Sequence, residues 1–171
     1  MRYTVLTDDD VRRVMPMSAA VDRIESALRE NAEGTMVAPP RFRVDVDKGA
    51  LIFTAGAVTH YDKAVGFRVY DRFQDSHGSH GQVVVVFDSD TGDFKGVIVG
   101  GHLGAMRTGA IGGVAIKHMA RPDASRAAIL GSGRQARTHL EAAAVVRHFA
   151  SVKVYSPNAT NREAFASEMR G

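Results

Sequence analysis

The segment AAILGSGRQARTHLEAAA, residues 127–144, decides the fold of the second half of the chain. An apolar run at 126–130 leads into a glycine loop, and an alanine-rich helical pattern follows at 134–148. A second strand pattern occupies 151–155, and a last helical stretch starts at about Arg162. Strand, glycine loop, helix and strand in this order predict a βαβ unit, the beginning of a Rossmann domain.

The glycine loop has the spacing of a dinucleotide-binding turn. Gly131 permits the sharp turn, Gly133 lets the backbone approach a pyrophosphate, and Ala136 keeps the helix close to the strand. The free N–H groups at the helix start face the anion. We therefore predict a pyrophosphate contact along the whole loop, Gly131, Ser132, Gly133, Arg134, Gln135 and Ala136. The alternative is a purely structural turn.

The end of the second strand indicates which dinucleotide is bound. An NAD site usually has an acidic residue there, which hydrogen-bonds the ribose 2′-hydroxyl. This chain instead has Ser156, Asn158 and, slightly further on, Arg162. These hydroxyl, amide and guanidinium groups suit a 2′-phosphate, so the sequence favours NADP(H) over NAD(H). The same residues could also cap the following helix.

The first hundred residues follow a different pattern. A strand is predicted at 3–6, then a helix capped by Thr7 and interrupted by Pro16, and a second helix capped by Ser18 that stops near Gly34. From Pro39 onward, period-two runs predict a mostly antiparallel sheet. A glycine-rich helix follows near residue 102 and implies close approach of another backbone or a ligand. The predicted fold is mixed α/β (α+β), with a sheet domain at 1–120 and a partial Rossmann domain at 121–171.

Composition excludes several classes of function. The chain has 171 residues, a formal net charge of +3, and scattered rather than clustered basic residues, which argues against nucleic-acid binding. It has no cysteine, so thiolate metal sites and cysteine nucleophiles are absent. It has no signal-peptide pattern and no apolar run near the roughly 18 residues of a membrane span. We expect a cytoplasmic protein without a membrane or nucleic-acid partner.

One long stretch is more specific than the glycine loop alone. The sequence MRTGAIGGVAIKHMARPDASRAAILGSGRQARTHLEAAAVVR, residues 106–147, closely resembles the ornithine cyclodeaminase/mu-crystallin family. The segments APPRFRV, GFRV and FDSDTG extend the likeness more weakly over nearly the whole chain. The resemblance implies a nicotinamide-binding Rossmann domain and a second α/β domain that carries much of the substrate site and forms a homodimer. It also implies hydride transfer between small amino, imino and keto acids.

The resemblance also implies roles for individual residues. Arg107 would grip a substrate carboxylate with two parallel hydrogen bonds, and Thr108 matches a threonine near the cofactor. Arg41 matches a carboxylate-binding arginine, with Arg43 as the alternative if the register differs by two. Arg68 stands where the family has a catalytic lysine. Because a guanidinium is a poor proton donor or acceptor, simple reduction of an imine or keto acid fits better than lysine-dependent cyclodeamination.

Family members are commonly about twice this long, and the carboxylate that usually transfers a proton lies in their second half. We therefore expect the 171 residues to be a fragment or truncated form without hydride transfer of its own. The alternatives are a non-catalytic protein of the mu-crystallin type that binds NADPH or a small ligand, and a structural or dimerising remnant.

Other polar clusters have ordinary explanations. Asp75, His77 and His80 could in principle hold a metal, but they lie in a glycine-rich loop, and no metal site is predicted. The acidic run at 88–93 lacks the later glutamate of a calcium loop and reads as a hairpin turn. Glu163 and Glu168 read as a solvated helix face.

Overall fold

The alternating segments in the first hundred residues form the strands of one sheet. The computed structural model describes residues 4–73 and 81–170. The strands are β1 (Thr4–Leu6), β2 (Met36–Val37), β3 (Phe42–Val46), β4 (Gly49–Val58), β5 (Ala64–Asp71), β6 (Gln82–Asp88) and β7 (Phe94–Val99). Among these residues the sheet order is β1-β7-β6-β5-β4-β2, and β3 also pairs with β4. The pairing is antiparallel except between β1 and β7, so the predicted mostly antiparallel sheet is confirmed.

The helices before this sheet follow the predicted capping pattern only in part. In α1 (Asp8–Val14), the Thr7 hydroxyl accepts the Asp10 amide at 3.3 Å, and the Asp10 carboxylate accepts the Thr7 amide at 3.0 Å. This is the expected cap. In α2 (Met17–Glu33), Ser18 lies inside the first turn, so its predicted role as the cap is wrong. The Pro16 carbonyl already accepts the Ala20 amide at 3.2 Å, which starts the helix earlier.

The helical half comprises α3 (His102–Met119), β8 (Arg126–Leu130), α4 (Arg134–Val146), β9 (Ser151–Tyr155) and α5 (Ala159–Glu168). β8 and β9 pair in parallel, as a βαβ unit requires. α4 ends at Val146 rather than at residue 148 because Arg147 is extended, with φ −144° and ψ 140°. α5 begins at Ala159, earlier than the predicted start near Arg162, because the Asn158 side chain caps it and accepts the Asn161 amide at 2.9 Å.

The chain divides into two compact units. The first contains residues 1–14 and 26–103, and the second contains residues 15–25 and 104–171. The predicted domain limits, 1–120 and 121–171, stay a prediction. No described helix has the length and apolar character that a bilayer crossing needs.

The first unit is tied together by two acidic side chains. Asp8 accepts the amides of His102 at 2.9 Å and Gly101 at 3.3 Å, which caps the start of α3. Glu30, fully buried in α2, accepts the amides of Thr59, His60 and Tyr61 at 2.9, 3.2 and 3.1 Å. Burial alone would raise the pKa of Glu30, but these amide donors outweigh it and lower that pKa below its ordinary value.

In the second unit, the glycines of α3 let α4 approach closely. A Cβ atom at Gly109 would overlap the backbone of Thr138, and one at Gly113 would come within 3.0 Å of the Ala142 side chain. Ala110 and Ala142 are fully buried in this unit. The backbone of a neighbouring helix is therefore what the glycine-rich pattern accommodates.

Candidate functional site

The glycine loop lies at the carboxyl end of β8, where it leads into α4. Gly131 has φ +107°, which favours glycine, and its amide donates to the Tyr155 carbonyl at 2.7 Å. Cβ atoms built on Gly131 and Gly133 meet no atom within 4 Å, so the space in front of both residues is open. Among the described residues, no side chain caps the N-terminus of α4. An open loop with uncapped helix amides fits an anionic pyrophosphate.

Arg137 holds this loop in place, and sequence reasoning missed it. Its Nη1 donates to the carbonyls of Ser132 at 3.1 Å and Gly133 at 3.3 Å. Its Nε donates to both carboxylate oxygens of Glu168 at 2.7 and 2.9 Å, and its guanidinium lies 5.4 Å from the centre of the buried Phe165 ring. The hydrogen bond from Arg137 lowers the pKa of Glu168 and raises that of Arg137. Glu168 is exposed, as predicted for a solvated helix face, and it also forms this ion pair.

The arginine falls inside the GSGxQARTHL motif, but spacing alone does not show that its side chain turns back to the loop. Its partner Glu168 is 31 residues further along the chain. A local pattern carries no signal for such a pair.

The residues after β9 meet the glycine loop directly. Ser156 is 7% exposed, and the Ser132 hydroxyl donates to the Ser156 hydroxyl at 3.0 Å. Arg162 donates to the Ser156 carbonyl at 2.8 Å, and Asn158 caps α5. The capping alternative is thus observed for Asn158, whose side chain is also exposed. The structure brings Ser132, Ser156 and Arg162 together at the carboxyl ends of the two parallel strands.

Four arginines lie on one side of the sheet in the first unit. Arg43 is paired in register with Ile52, Ile52 with Tyr70, and Thr54 with Arg68, so these side chains share a face. A cavity of about 430 Å³ borders this face; it is lined by Arg41, Arg43, Ile52, Tyr70 and Arg72 and also by Phe42, whose register partner Phe53 is on the opposite face. We call the side chains of Arg41, Arg43, Arg68, Tyr70 and Arg72 the arginine face.

Tyr70 organises the arginine face. The guanidinium of Arg68 lies 4.5 Å from the centre of the Tyr70 ring, and that of Arg72 lies 5.9 Å from it. Both distances are within the range of cation–π attraction. Arg43 is bound to Asp45, with Nε to Oδ1 at 2.9 Å, whereas no carboxylate partner is found for Arg41, Arg68 or Arg72 within 4–73 and 81–170. Sequence reasoning did not single out Tyr70 or Arg72.

Two buried donors on this side of the sheet have no hydrogen-bond acceptor among the described residues. They are Nε of Arg68 and Nε2 of Gln82. Gln82 of β6 is paired in register with Tyr70, so it lies on the arginine face as well. A buried donor without an acceptor costs about 1–3 kcal/mol, a cost that a ligand or a water molecule supplying an acceptor would remove.

The remaining predicted residues lie elsewhere. Arg107 is exposed near the start of α3, and the Thr108 hydroxyl donates to the Gly104 carbonyl at 2.9 Å. Both belong to the second unit, as does the glycine loop, whereas Arg41, Arg43 and Arg68 belong to the first. Asp75, His77 and His80 lie outside the described residues. Within the part of the chain that is described, no three His, Cys, Asp or Glu side chains cluster as metal ligands.

Comparison with known proteins gives one consistent match. The model of the ornithine cyclodeaminase/mu-crystallin family matches residues 1–171, which confirms the resemblance. An alanine dehydrogenase of Archaeoglobus fulgidus is 27% identical over 168 residues, covering 98% of this chain and 52% of the relative. The chain thus spans about half the length of the curated relatives it matches.

Two solved structures share the fold. An archaeal alanine dehydrogenase dimer with bound NAD has a TM-score of 0.88 at 26% identity, covering 98% of this chain and 53% of the other. The Thermococcus litoralis Δ1-pyrroline-2-carboxylate reductase, in complex with NADH and L-proline, has a TM-score of 0.85 at 30% identity, covering 96% and 53%. The mixed α/β fold predicted from the sequence is therefore confirmed.

Proposed function

Because this chain belongs to the ornithine cyclodeaminase/mu-crystallin family, we propose that the protein is an NAD(P)(H)-dependent oxidoreductase or cyclodeaminase. It acts on a small amino, imino or keto acid. The observation that carries the proposal is the glycine loop, whose open space and uncapped helix start fit a pyrophosphate. The nicotinamide cofactor, when bound, supplies or accepts the hydride.

Residues of this chain bind and orient the cofactor and the substrate. Gly131, Ser132, Gly133, Arg134, Gln135 and Ala136 hold the pyrophosphate, and Thr108 contacts the cofactor. Arg107 and Arg41 bind the substrate carboxylate by bidentate hydrogen bonds. Arg68, in the position of the family's lysine, holds the polar group beside the reacting carbon. A guanidinium is a poor proton donor or acceptor near neutral pH. Reduction of an imine or keto acid is therefore favoured over lysine-dependent cyclodeamination.

We further propose that the cofactor is NADP(H) in preference to NAD(H). The support is chemical: the stretch from Ser156 to Arg162 contains no carboxylate that would repel a 2′-phosphate. Asn158 and Arg162 offer an amide and a guanidinium instead. Two solved relatives bind NAD or NADH, so the support for NADP(H) comes from this chain's own residues alone.

A cofactor titration tests the proposal. Intrinsic nicotinamide fluorescence should rise on adding the protein, with tighter binding of NADPH than of NADH. Gly133→Val should weaken both by tenfold or more, because a branched side chain fills the open space in front of the loop. Equal binding by this variant and the unaltered protein would contradict the pyrophosphate assignment. Hydride transfer is then tested by screening imino and keto acids for loss of nicotinamide absorbance.

The second candidate function is a non-catalytic NADPH- or ligand-binding protein of the mu-crystallin type. The observation in its favour is Arg68, which keeps the positive charge of the family's lysine without its proton chemistry. Cofactor binding without turnover of any amino, imino or keto acid would favour it. The expectations that the 171 residues alone do not turn over, and that the protein is cytoplasmic, stay predictions.

We also propose that the protein forms a homodimer through the face of the sheet opposite the arginine face. Phe42 (60% exposed), Val44, Phe67 and Val83 leave this face apolar and open. Phe42 stacks on Phe53 with ring centres 4.8 Å apart, which extends the apolar surface. An exposed patch of this kind is typical of a contact between proteins, and the archaeal alanine dehydrogenase is a dimer.

A further inference from the structure

The arginine face carries more positive charge than one substrate carboxylate requires. Of Arg41, Arg43, Arg68 and Arg72, only Arg43 pairs with a carboxylate within residues 4–73 and 81–170, and that carboxylate belongs to Asp45. β4, which runs through the middle of this surface, has no charged residue. Three guanidiniums are thus left without a counter-charge among the described residues. Arg68 and Arg72 both lie against the Tyr70 ring, so an anion bound there would offset the repulsion between these two like charges.

From this arrangement, we propose that the arginine face selects an amino, imino or keto acid with a second carboxylate, and that Arg72 binds this side-chain carboxylate. The inference deepens the proposed function and rests on it. Arg41 then remains for the carboxylate next to the reacting carbon, and Arg68 for the reacting group.

The backbone of Arg72 is fixed where it lines the cavity. Its amide donates to the Ala50 carbonyl at 2.8 Å, and its carbonyl accepts the Ala50 amide at 3.3 Å. Ala50 is fully buried, so this pair anchors Arg72 just beyond the end of β5. The Tyr70 ring then orients the guanidinium. A side chain held in this way loses less conformational entropy when it binds an anion.

The buried donors of Arg68 and Gln82 support an anion that is rich in hydrogen-bond acceptors. Both nitrogens lack an acceptor in the described residues. Arg68 lies on β5 two residues before Tyr70, and Gln82 lies on the neighbouring β6, paired in register with Tyr70. A dicarboxylic acid offers four carboxylate oxygens, whereas an amino acid with an apolar side chain offers two. The cavity of about 430 Å³ leaves room for a four- or five-carbon acid.

The test compares each acid with its neutral isostere. Isothermal titration with saturating NADPH measures the affinities of L-aspartate and L-asparagine, and of L-glutamate and L-glutamine. We expect at least one acid to bind about tenfold or more tightly than its amide, because a site built for a charged partner rejects a neutral analogue. Equal affinities for acid and amide, or no binding of any of the four, would overturn the inference.

Variants assign the selectivity to Arg72. Arg72→Gln should bring the acid-to-amide ratio close to one, and Arg72→Lys should retain part of it. Lys48→Gln is the matched control, because it removes a positive charge from the turn between β3 and β4 without lining the cavity. An unchanged ratio in Arg72→Gln, or an equal loss in Lys48→Gln, would refute the role of Arg72. Circular dichroism checks that each variant is folded.

The outcomes separate this inference from the function it rests on. Hydride transfer to mono- and dicarboxylic substrates with equal kcat/KM would overturn the inference and leave the oxidoreductase proposal standing. Acid-selective binding that depends on Arg72, without hydride transfer to any substrate, would support the inference and overturn the oxidoreductase proposal.

Discussion

Arg137 orients the backbone of the glycine loop from a position outside that loop. By accepting hydrogen bonds from one guanidinium, the carbonyls of Ser132 and Gly133 are fixed in direction. The amides of Gly133 and Arg134, which share peptide units with these carbonyls, are thereby oriented as well, since each peptide unit is planar. A residue outside the glycine loop therefore shapes the surface that we propose binds the pyrophosphate.

Replacing Glu168 with glutamine should weaken NADPH binding by about threefold to tenfold, because Arg137 loses its charged partner and the loop becomes less ordered. Fluorescence titration gives the dissociation constant. Glu163→Gln, on the same helix and without an ion pair among the described residues, is the control and should bind normally. Because the pKa of Glu168 is lowered, its contribution is complete above the ordinary glutamate pKa and is lost as the pH falls through the lowered value. If Glu168→Gln binds NADPH as tightly as the unaltered protein, the ion pair with Glu168 is not required for Arg137 to order the glycine loop.

Glu30 is a structural counterpart in the first unit. Its carboxylate receives three backbone amides, which glutamine cannot replace because its own N–H₂ group would face those donors. Glu30→Gln should lower the thermal midpoint of unfolding by about 5 °C or more at neutral pH. Because the pKa of Glu30 is lowered from 4.5, this contribution to stability is complete above that ordinary value and is lost as the pH falls through the lowered value. If the thermal midpoints of the unaltered protein and Glu30→Gln differ by the same amount at every pH, including the most acidic, the stabilisation does not come from the Glu30 carboxylate.

Among the elements, the contact between α3 and α4 depends on glycine for space. An alanine in an exposed helix usually stabilises it relative to glycine, by about 1 kcal/mol. At Gly109 the sign should reverse, because the added methyl group overlaps the Thr138 backbone, and overpacking costs about 1–3 kcal/mol. Differential scanning calorimetry of Gly109→Ala should show a lower midpoint. Ile111→Ala, at a position 41% exposed on the same helix, should have a smaller effect. A higher midpoint in Gly109→Ala would mean that the two helices can move apart at little cost.

Element boundaries show where local patterns suffice. Thr7 and Asp10 lie within one turn, so their reciprocal cap could be predicted from spacing. Ser18 could not be rejected as a cap, because Pro16 offers its carbonyl as the first acceptor and a residue pattern does not show which of the two is used. The βαβ unit was predictable because its glycine turn is short and its strands are apolar. Glu30 gave no such signal, since its three amide partners lie about 30 residues away.

For the molecule as a whole, the two faces of the sheet have opposite character. One carries the arginine face, and the other exposes phenylalanine and valine. The sequence could predict that residues alternate between two faces, but not which face stays open, because this depends on what covers each one. Arg72 was missed for the same reason: only the fold shows that it and Arg41 line a common cavity.

The homodimer proposal predicts that one charge on the apolar face prevents association. Phe67→Glu should shift the protein from dimer to monomer, since burying a carboxylate in an apolar contact is costly. Size-exclusion chromatography with light scattering gives the mass directly. Val152→Glu, at a residue 40% exposed in the second unit, matches the exposure of Phe67 at 41% and should leave the mass unchanged. A monomeric unaltered protein, or a dimeric Phe67→Glu variant, would exclude this surface as the interface.

The carboxylate of Asp8 connects the amino-terminal end to a helix more than 90 residues further along the chain. It anchors the beginning of the helix on which Arg107 and Thr108 stand. Trimming the protein to start at residue 9 would delete β1 and release that anchor in one cut. Amide hydrogens at Gly101 and His102 would then exchange faster with solvent, and fraying of the helix would spread toward Arg107. A purification tag is therefore better separated from Thr4 by a linker than fused in place of the first residues.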